Sequence, residues 1–249
     1  MIIGTTMRNK IRNTPLLGPT ITSSVRAARR NLFPGSLNYW EHRYSSGGDS
    51  GAGSQDALAR FKAEVLNSFI AENDVTSVIE FGCGDGRQLE LAEYPRYLGL
   101  DVSPTGLDLA HARFSDDRTK SFLLYEPRHF FDSAEFIRAD LTLSLDVIYH
   151  LIEDEIYELH LSHLFAASTR FVALYTSDDS ELNAPTGHSA PHVRHRPVTH
   201  DVARRFPHWR LRKKTRNRYP YTENAQVATS FADFFIYEHA RRTGDQSTH

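Results

Sequence analysis

The chain reads as an α/β protein: a doubly wound, seven-stranded, mostly parallel sheet with helices on both faces, preceded by an N-terminal arm. Three observations predict this. From residue 55 onward, short apolar runs of strand character alternate with segments of helical period. One of those runs, Ser77-Val-Ile-Glu-Phe-Gly-Cys-Gly-Asp-Gly86, passes straight into three glycines. Strand, glycine turn and helix is the arrangement by which α/β proteins bring backbone against a nucleotide. Finally, 249 residues with ordinary apolar and charged content suit one large domain with extensions.

The elements follow in order. Residues 1–54 are expected to form an arm and flexible lid. Pro15, Pro19 and Pro34 interrupt its first part, leaving room for a short helix near Val25–Arg30. Asn38 to Tyr44 gathers aromatic and basic residues, and Ser45 to Ser54 is a glycine/serine loop. The main domain is expected over 55–249. Leu58, Phe61, Val65, Leu66, Phe69 and Ile70 recur at helical spacing. Strand one is expected near 76–81, a helix-like stretch over Arg87–Glu93, and strand two over 97–101. A helix over Pro104–Phe114 and strands at Ser121–Tyr125 and Leu141–Leu145 come next. Leu151–Phe165 reads as a helix, with Glu153, Asp154 and Glu155 suiting the dipole of its first turn. Strand five is expected at Phe171–Tyr175, then a proline- and histidine-bearing loop, a helix over Val198–Phe206, and strands at Trp209–Thr215 and Phe231–Glu238. Residues 177–230 would cap the site.

Composition excludes several classes. No apolar run approaches the roughly 18 residues of a membrane span. Arg8, Lys10, Arg12 and two prolines break up the segment where a secretion signal would need an apolar core. One cysteine rules out an internal disulfide framework, so a cytoplasmic setting is expected. The net charge of −2 hides segregation. Met1 to Trp40 has six Lys/Arg and no acid; Glu126 to Glu181 has twelve acids and three Arg; Arg194 to Arg218 has ten Lys/Arg against Asp201 alone. Such runs mark either a binding face or solvated surface. His188, His192, His195 and His200 fit no zinc spacing, and no metal is expected. Oligomeric state leaves no mark on the sequence.

Two acids sharpen the glycine motif. Glu80 precedes Gly82 by two residues, and Asp101 ends the next apolar run, 19 residues after Gly82. Roughly 20 residues is the separation at which an acid reads ribose hydroxyls in such folds. The GxGxxG of dinucleotide binders fails, because Arg87 stands where its last glycine would be. The pattern E-x-G-x-G-x-G, followed by a strand ending in Asp, resembles motifs I and II of class I S-adenosylmethionine-dependent methyltransferases. That resemblance covers about residues 76–176, and the last two strands more loosely.

The resemblance implies S-adenosyl-L-methionine as cofactor and assigns roles. Glu80 or Asp85 would lie by its amino-acid part, with Gly82, Cys83 and Gly84 in the loop that binds the cofactor; Asp101 would accept from the ribose hydroxyls, and Val102 and Leu100 would flank the adenine, with Glu126 facing it. The segment Asn38–Tyr44 would close over the cofactor, Arg43 pairing its carboxylate and Tyr39 or Tyr44 bonding it or contacting the sulfonium. Asp146, in Asp140-Leu-Thr-Leu-Ser-Leu-Asp-Val-Ile-Tyr-His-Leu151, would hold the methionine amine or the substrate. His150 is the candidate general base, since imidazole titrates near neutrality. The expected acceptor is a small molecule or glycan-like compound, anionic to suit Arg194–Arg218, methylated on oxygen or nitrogen. Nucleic acid is not the expected partner, as no aromatic-basic module or RNA-binding motif is visible. A macromolecular acceptor, or a binding module without turnover, remain the alternatives.

Overall fold

The computed structural model describes residues 33–183, 190–223 and 225–240. The helix expected near Val25–Arg30 and most of the arm lie outside them. Helix α1 (Ser36–Ser45) and α2 (Asp56–Glu72) precede β1 (Val78–Phe81), β2 (Tyr97–Asp101), α3 (Pro104–Arg113), β3 (Lys120–Leu124) and β4 (Ala139–Leu145). Helix α4 (Asp154–Ala166), β5 (Ser168–Thr176), α5 (Val198–Arg205), β6 (Trp209–Thr215) and β7 (Asp233–His239) complete the chain. The seven strands run β3-β2-β1-β4-β5-β7-β6; β1 to β5 pair in parallel, and β7 is antiparallel to both its neighbours.

Central strands of a parallel sheet are covered on both faces and therefore read as continuous apolar runs. All four residues of β1 are buried, and six of the seven in β4. Alternation sends their side chains to two cores. On one face Val78, Leu141 and Leu143 meet Phe61, Leu66 and Phe69 of α2. On the other, Ile79, Phe81 and Val172 meet Ile156 and Leu161 of α4 and Val202 of α5. The outer edge, β6, exposes Arg210, Leu211, Arg212, Lys213 and Lys214 in a row. Charge on an edge strand discourages further pairing.

Several boundaries differ from the sequence pattern. The stretch Arg87–Glu93 forms only a short 3-10 turn, Gln88–Leu91. Pro95 follows closely, and the residue before a proline is pushed to extended backbone. Asn38 to Tyr44 belongs to helix α1. Helix α4 begins at Asp154 rather than Leu151, because the carbonyls of His150, Leu151 and Ile152 are taken by Ser36, Arg194 and Arg196. The final strand begins at Asp233, two residues after Phe231, where Ala232 N donates to Ser230 Oγ in a turn. Among the described residues, no helix is long and apolar enough to cross a membrane.

Candidate active site

Ligands of open parallel sheets bind beyond the carboxyl ends of the strands, where strand order reverses. Here that place lies between β1 and its neighbours β2 and β4, and it holds a cleft of about 830 Å³ empty volume. Glu80, Gly82, Cys83, Gly84, Asp101, Val102 and Asp146, all singled out from sequence, line it together.

The glycine loop explains its own composition. Gly82 has φ +92°, and a Cβ there would stand 2.3 Å from Val147 Cγ2. At Gly84 (φ +55°) it would stand 2.4 Å from Tyr44 Oη. Positive φ and close approach both demand glycine. Gly84 N donates to Asp101 Oδ2 at 2.8 Å, and Ser103 N donates to Oδ1 at 2.9 Å. The carboxylate is thus tied to backbone on both sides. Burial nevertheless pushes its pKa up to about 6, with those donors opposing the rise. Glu80 accepts from Tyr97 Oη at 2.7 Å, and burial pushes it up to about 7.

The opposite end rests on side chains from distant segments. Asp146 sits at φ +59°, a conformation that Asp tolerates better than most residues. Lys62 Nζ of α2 donates to its Oδ2 at 2.6 Å, and Tyr149 Oη donates to its Oδ1 at 2.6 Å. Lys62 is 1% exposed.

Helix α1 forms the roof. Ser36 N and Oγ donate to the Glu153 carboxylate at 3.0 and 2.6 Å. At mid-helix Glu41 accepts from Ser103 Oγ (2.5 Å) and Thr105 Oγ1 (2.6 Å) at the start of α3, where the helix dipole also favours an anion. Those hydroxyls hold the Glu41 carboxyl below its usual range. Trp40 and Tyr44 reach the cleft, and Tyr44 Oη bonds Ser50 Oγ (2.9 Å), which donates to Asp85 (2.6 Å).

Four predicted residues stand off the cleft wall. Tyr39 stacks on His192 (4.6 Å between centroids). Arg43 is spent on Asp49, donating to its carbonyl at 2.6 Å and pairing its carboxylate at 3.4 Å. Glu126 lies past β3, pairing His129 at 2.8 Å, while its neighbours Tyr125 and Pro127 line the cleft. His150 packs edge-on against Trp40 at 5.0 Å. Its Nδ1 lies 2.9 Å from the His192 carbonyl, which can only accept, so Nδ1 carries the proton. Burial pulls its pKa down to about 4, so the ring is neutral at pH 7.

The basic stretch also serves elsewhere. Arg194 pairs Asp154 at 2.9 Å, and Arg196 donates to the Leu151 and Ile152 carbonyls. Arg212 pairs Glu238 and Lys214 pairs Asp233 on the outer edge. Among the described residues, Lys62 is the only Lys or Arg lining the cleft. Lys62 and Gln88 are among the wall residues that the sequence pattern did not single out. For Lys62 a signal existed: a lysine on the apolar face of an otherwise regular amphipathic helix.

Known folds agree with this geometry. The N-methyltransferase NodS of Bradyrhizobium japonicum, solved with S-adenosyl-L-homocysteine, superposes with a TM-score of 0.61 at 13% identity, covering 82% of this chain and 98% of that one. The methyltransferase domain of bacterial CtHen1 superposes at 0.55 and 16% identity, covering 72% and 97%. The chain carries the class I methyltransferase fold. No family model matches it. A curated relative, the small RNA 2'-O-methyltransferase of Arabidopsis thaliana, is 30% identical over 112 residues, which is 41% of this chain and 12% of that protein. The chain thus spans about an eighth of that relative's length.

Proposed function

We propose that this protein is an S-adenosylmethionine-dependent methyltransferase acting on oxygen or nitrogen of a small-molecule or glycan-like acceptor. The observation that carries the proposal is Asp101, buried at the end of β2 and fixed by Gly84 N and Ser103 N. An ionised carboxylate offers about four acceptor positions, so two backbone bonds leave capacity for both ribose hydroxyls.

Charge favours this cofactor over a dinucleotide. Glu80, Asp101 and Asp146 face the cleft against Lys62 alone. Carboxylates attract a sulfonium and an ammonium and repel a pyrophosphate. Bound S-adenosylmethionine supplies an electrophilic methyl group on its sulfonium, leaving the chain to hold and orient an acceptor. With Arg194 and Arg196 bonded to backbone and Asp154, the basic stretch does not favour an anionic acceptor. For His150, a pKa near 4 and ring contacts with Trp40 and His192 favour anchoring of the roof over proton abstraction.

A second acceptor class, RNA, is favoured by the Arabidopsis relative, a small RNA 2'-O-methyltransferase. The sequence-based expectation that nucleic acid is not the partner finds no support in that relative. Calorimetric titration with S-adenosylmethionine, S-adenosylhomocysteine and NAD tests the cofactor. Micromolar binding of the first two but not NAD is expected, and silence from both adenosyl ligands would sink the proposal. Labelled methyl transfer to short RNA or to a panel of hydroxyl and amine acceptors then separates the two classes.

A further inference from the structure

We propose that the Lys62–Asp146 pair reads the two charges of the cofactor's amino-acid end, Lys62 taking the carboxylate and Asp146 the ammonium. The site would thereby select adenosyl ligands that keep their carboxylate. This rests on the methyltransferase proposal above and adds a residue to it that no sequence motif marks.

Four observations point the same way. Asp101, Glu80 and Asp146 belong to β2, β1 and the end of β4, which are adjacent in the sheet. Two strand spacings give about 10 Å between the Asp101 and Asp146 ends, room for an aminobutyrate chain beyond a ribose. Second, the cleft is short of cations: Lys62 stands against three carboxylates, so a ligand carboxylate has one favourable place to go. Third, Arg43, the expected partner of that carboxylate, is held on Asp49 away from the wall. Fourth, Lys62 is built in rather than solvated. It is 1% exposed, 2.6 Å from Asp146, and its ammonium lies 5.5 Å from the centroid of the Tyr175 ring. A buried ion pair is costly, and a well-packed apolar pair in its place is often no less stable. Its placement beside a cleft therefore suits a reader of charge.

The pair is complementary to a zwitterion. Lys62 has three donors and spends one on Asp146, leaving donors for a second carboxylate. Asp146 in turn keeps acceptor capacity beyond Lys62 and Tyr149.

The experiment compares three ligands by calorimetry on the full chain. These are S-adenosylhomocysteine, its decarboxylated analogue S-adenosyl-3-thiopropylamine, and 5'-methylthioadenosine, which lacks the amino-acid end altogether. Wild type is expected to prefer S-adenosylhomocysteine over the decarboxylated ligand by roughly 10- to 100-fold, the scale of one charge-assisted bond. In Lys62→Met that preference should fall below about threefold, again by the loss of that bond. Affinity for 5'-methylthioadenosine should persist, which certifies the fold. Should Lys62→Met fail to fold with Asp146 left unpaired, the double variant Lys62→Met/Asp146→Asn removes both charges and should lose the same preference. No preference in wild type, or an unchanged preference in either variant, overturns the proposal. If wild type binds none of the three ligands, the cofactor assignment itself falls, and this inference with it.

Discussion

At the β2 end of the cleft the cleft-lining carboxylate is held by backbone amides from two neighbouring loops; at the β4 end it is held by side chains from other elements. Asp101 takes its bonds from Gly84 N and Ser103 N. Asp146 takes its from Tyr149 and from Lys62, 84 residues earlier. Backbone donors survive most substitutions around them, so the first end tolerates sequence change and depends on glycine geometry. The second end stands or falls with individual side chains. A site built this way can keep its cofactor frame constant while its charged end is retuned.

The largest test of the contrast is Asp101→Ala. Two charge-assisted hydrogen bonds to a ribose amount to about 3 kcal/mol or more, so affinity for S-adenosylhomocysteine should fall roughly 100-fold. Calorimetry reads this directly, and affinity within threefold of wild type would remove Asp101 from the site. Gly84→Ala comes next. Its Cβ would meet Tyr44 Oη at 2.4 Å and Ser50 Oγ at 2.6 Å, with backbone at φ +55°. The roof must lift from the loop, and a destabilisation of about 1–3 kcal/mol, typical of strained backbone, is expected in a denaturant titration. Unchanged stability would mean the roof does not rest on the loop.

Acidity separates the ends further. With Asp101 pushed up to about 6, most of it is protonated at pH 5. A protonated carboxyl loses acceptor capacity. Affinity should therefore fall about tenfold between pH 7 and pH 5, following the protonated fraction. Stability follows a different sign. Glu80 (about 7) and Asp101 (about 6) bind protons more readily folded than unfolded, so both destabilise the fold as pH rises through these values. His150 (about 4) and His160 (about 3) bind them less readily when folded, so they destabilise it as pH falls below 6.5. Tm should rise as pH falls to about 6.5 and drop below it, where His150, His160 and the also lowered His163, His192 and His195 must charge. A Tm that climbs steadily above pH 7 would contradict the buried acids.

The same locality decided what could be read in advance. The order of strands and helices was legible because every strand but the edge strand β6 carries its own apolar run, and the glycine loop because Glu80, Gly82, Gly84 and Asp101 lie within 22 residues. Helix α1 was not, since it is held in place by bonds to Glu153 and Ser103 from far along the chain. The pairing of Lys62 was hidden for a like reason: its place on the apolar face of α2 shows in the sequence, but its partner lies 84 residues away. Arg43 and Tyr39 had the right chemistry and neighbourhood, but α1 turns them toward Asp49 and His192. Helical phase, more than residue type, decided which side chains of the roof reach the cleft.

His150→Ala sharpens the division between anchoring and catalysis. As an anchor the ring supports Trp40 and His192, so its loss should weaken S-adenosylhomocysteine binding by roughly 3- to 10-fold, about 1 kcal/mol of packing. As a base it would leave that affinity intact and cost turnover alone, roughly 100-fold or more. Measuring both on one sample decides between them.

The smallest effect belongs to Tyr44→Phe. Its hydroxyl links the roof to Ser50, and through Ser50 to Asp85 beside the glycine loop. Ser50 Oγ keeps its bond to Asp85 when the tyrosine hydroxyl goes, so one hydrogen bond is lost and no carboxylate is orphaned. That is worth about 0.5–1.5 kcal/mol, or up to roughly tenfold in affinity if the whole loss falls on the bound state. The ring itself stays, packed beside Gly106 and Trp40, so stability should move less than with Gly84→Ala. Stopped-flow binding separates the two states. A faster association with little change in affinity means the hydroxyl latches a roof that must open for the ligand. An effect confined to dissociation means the latch closes only behind it.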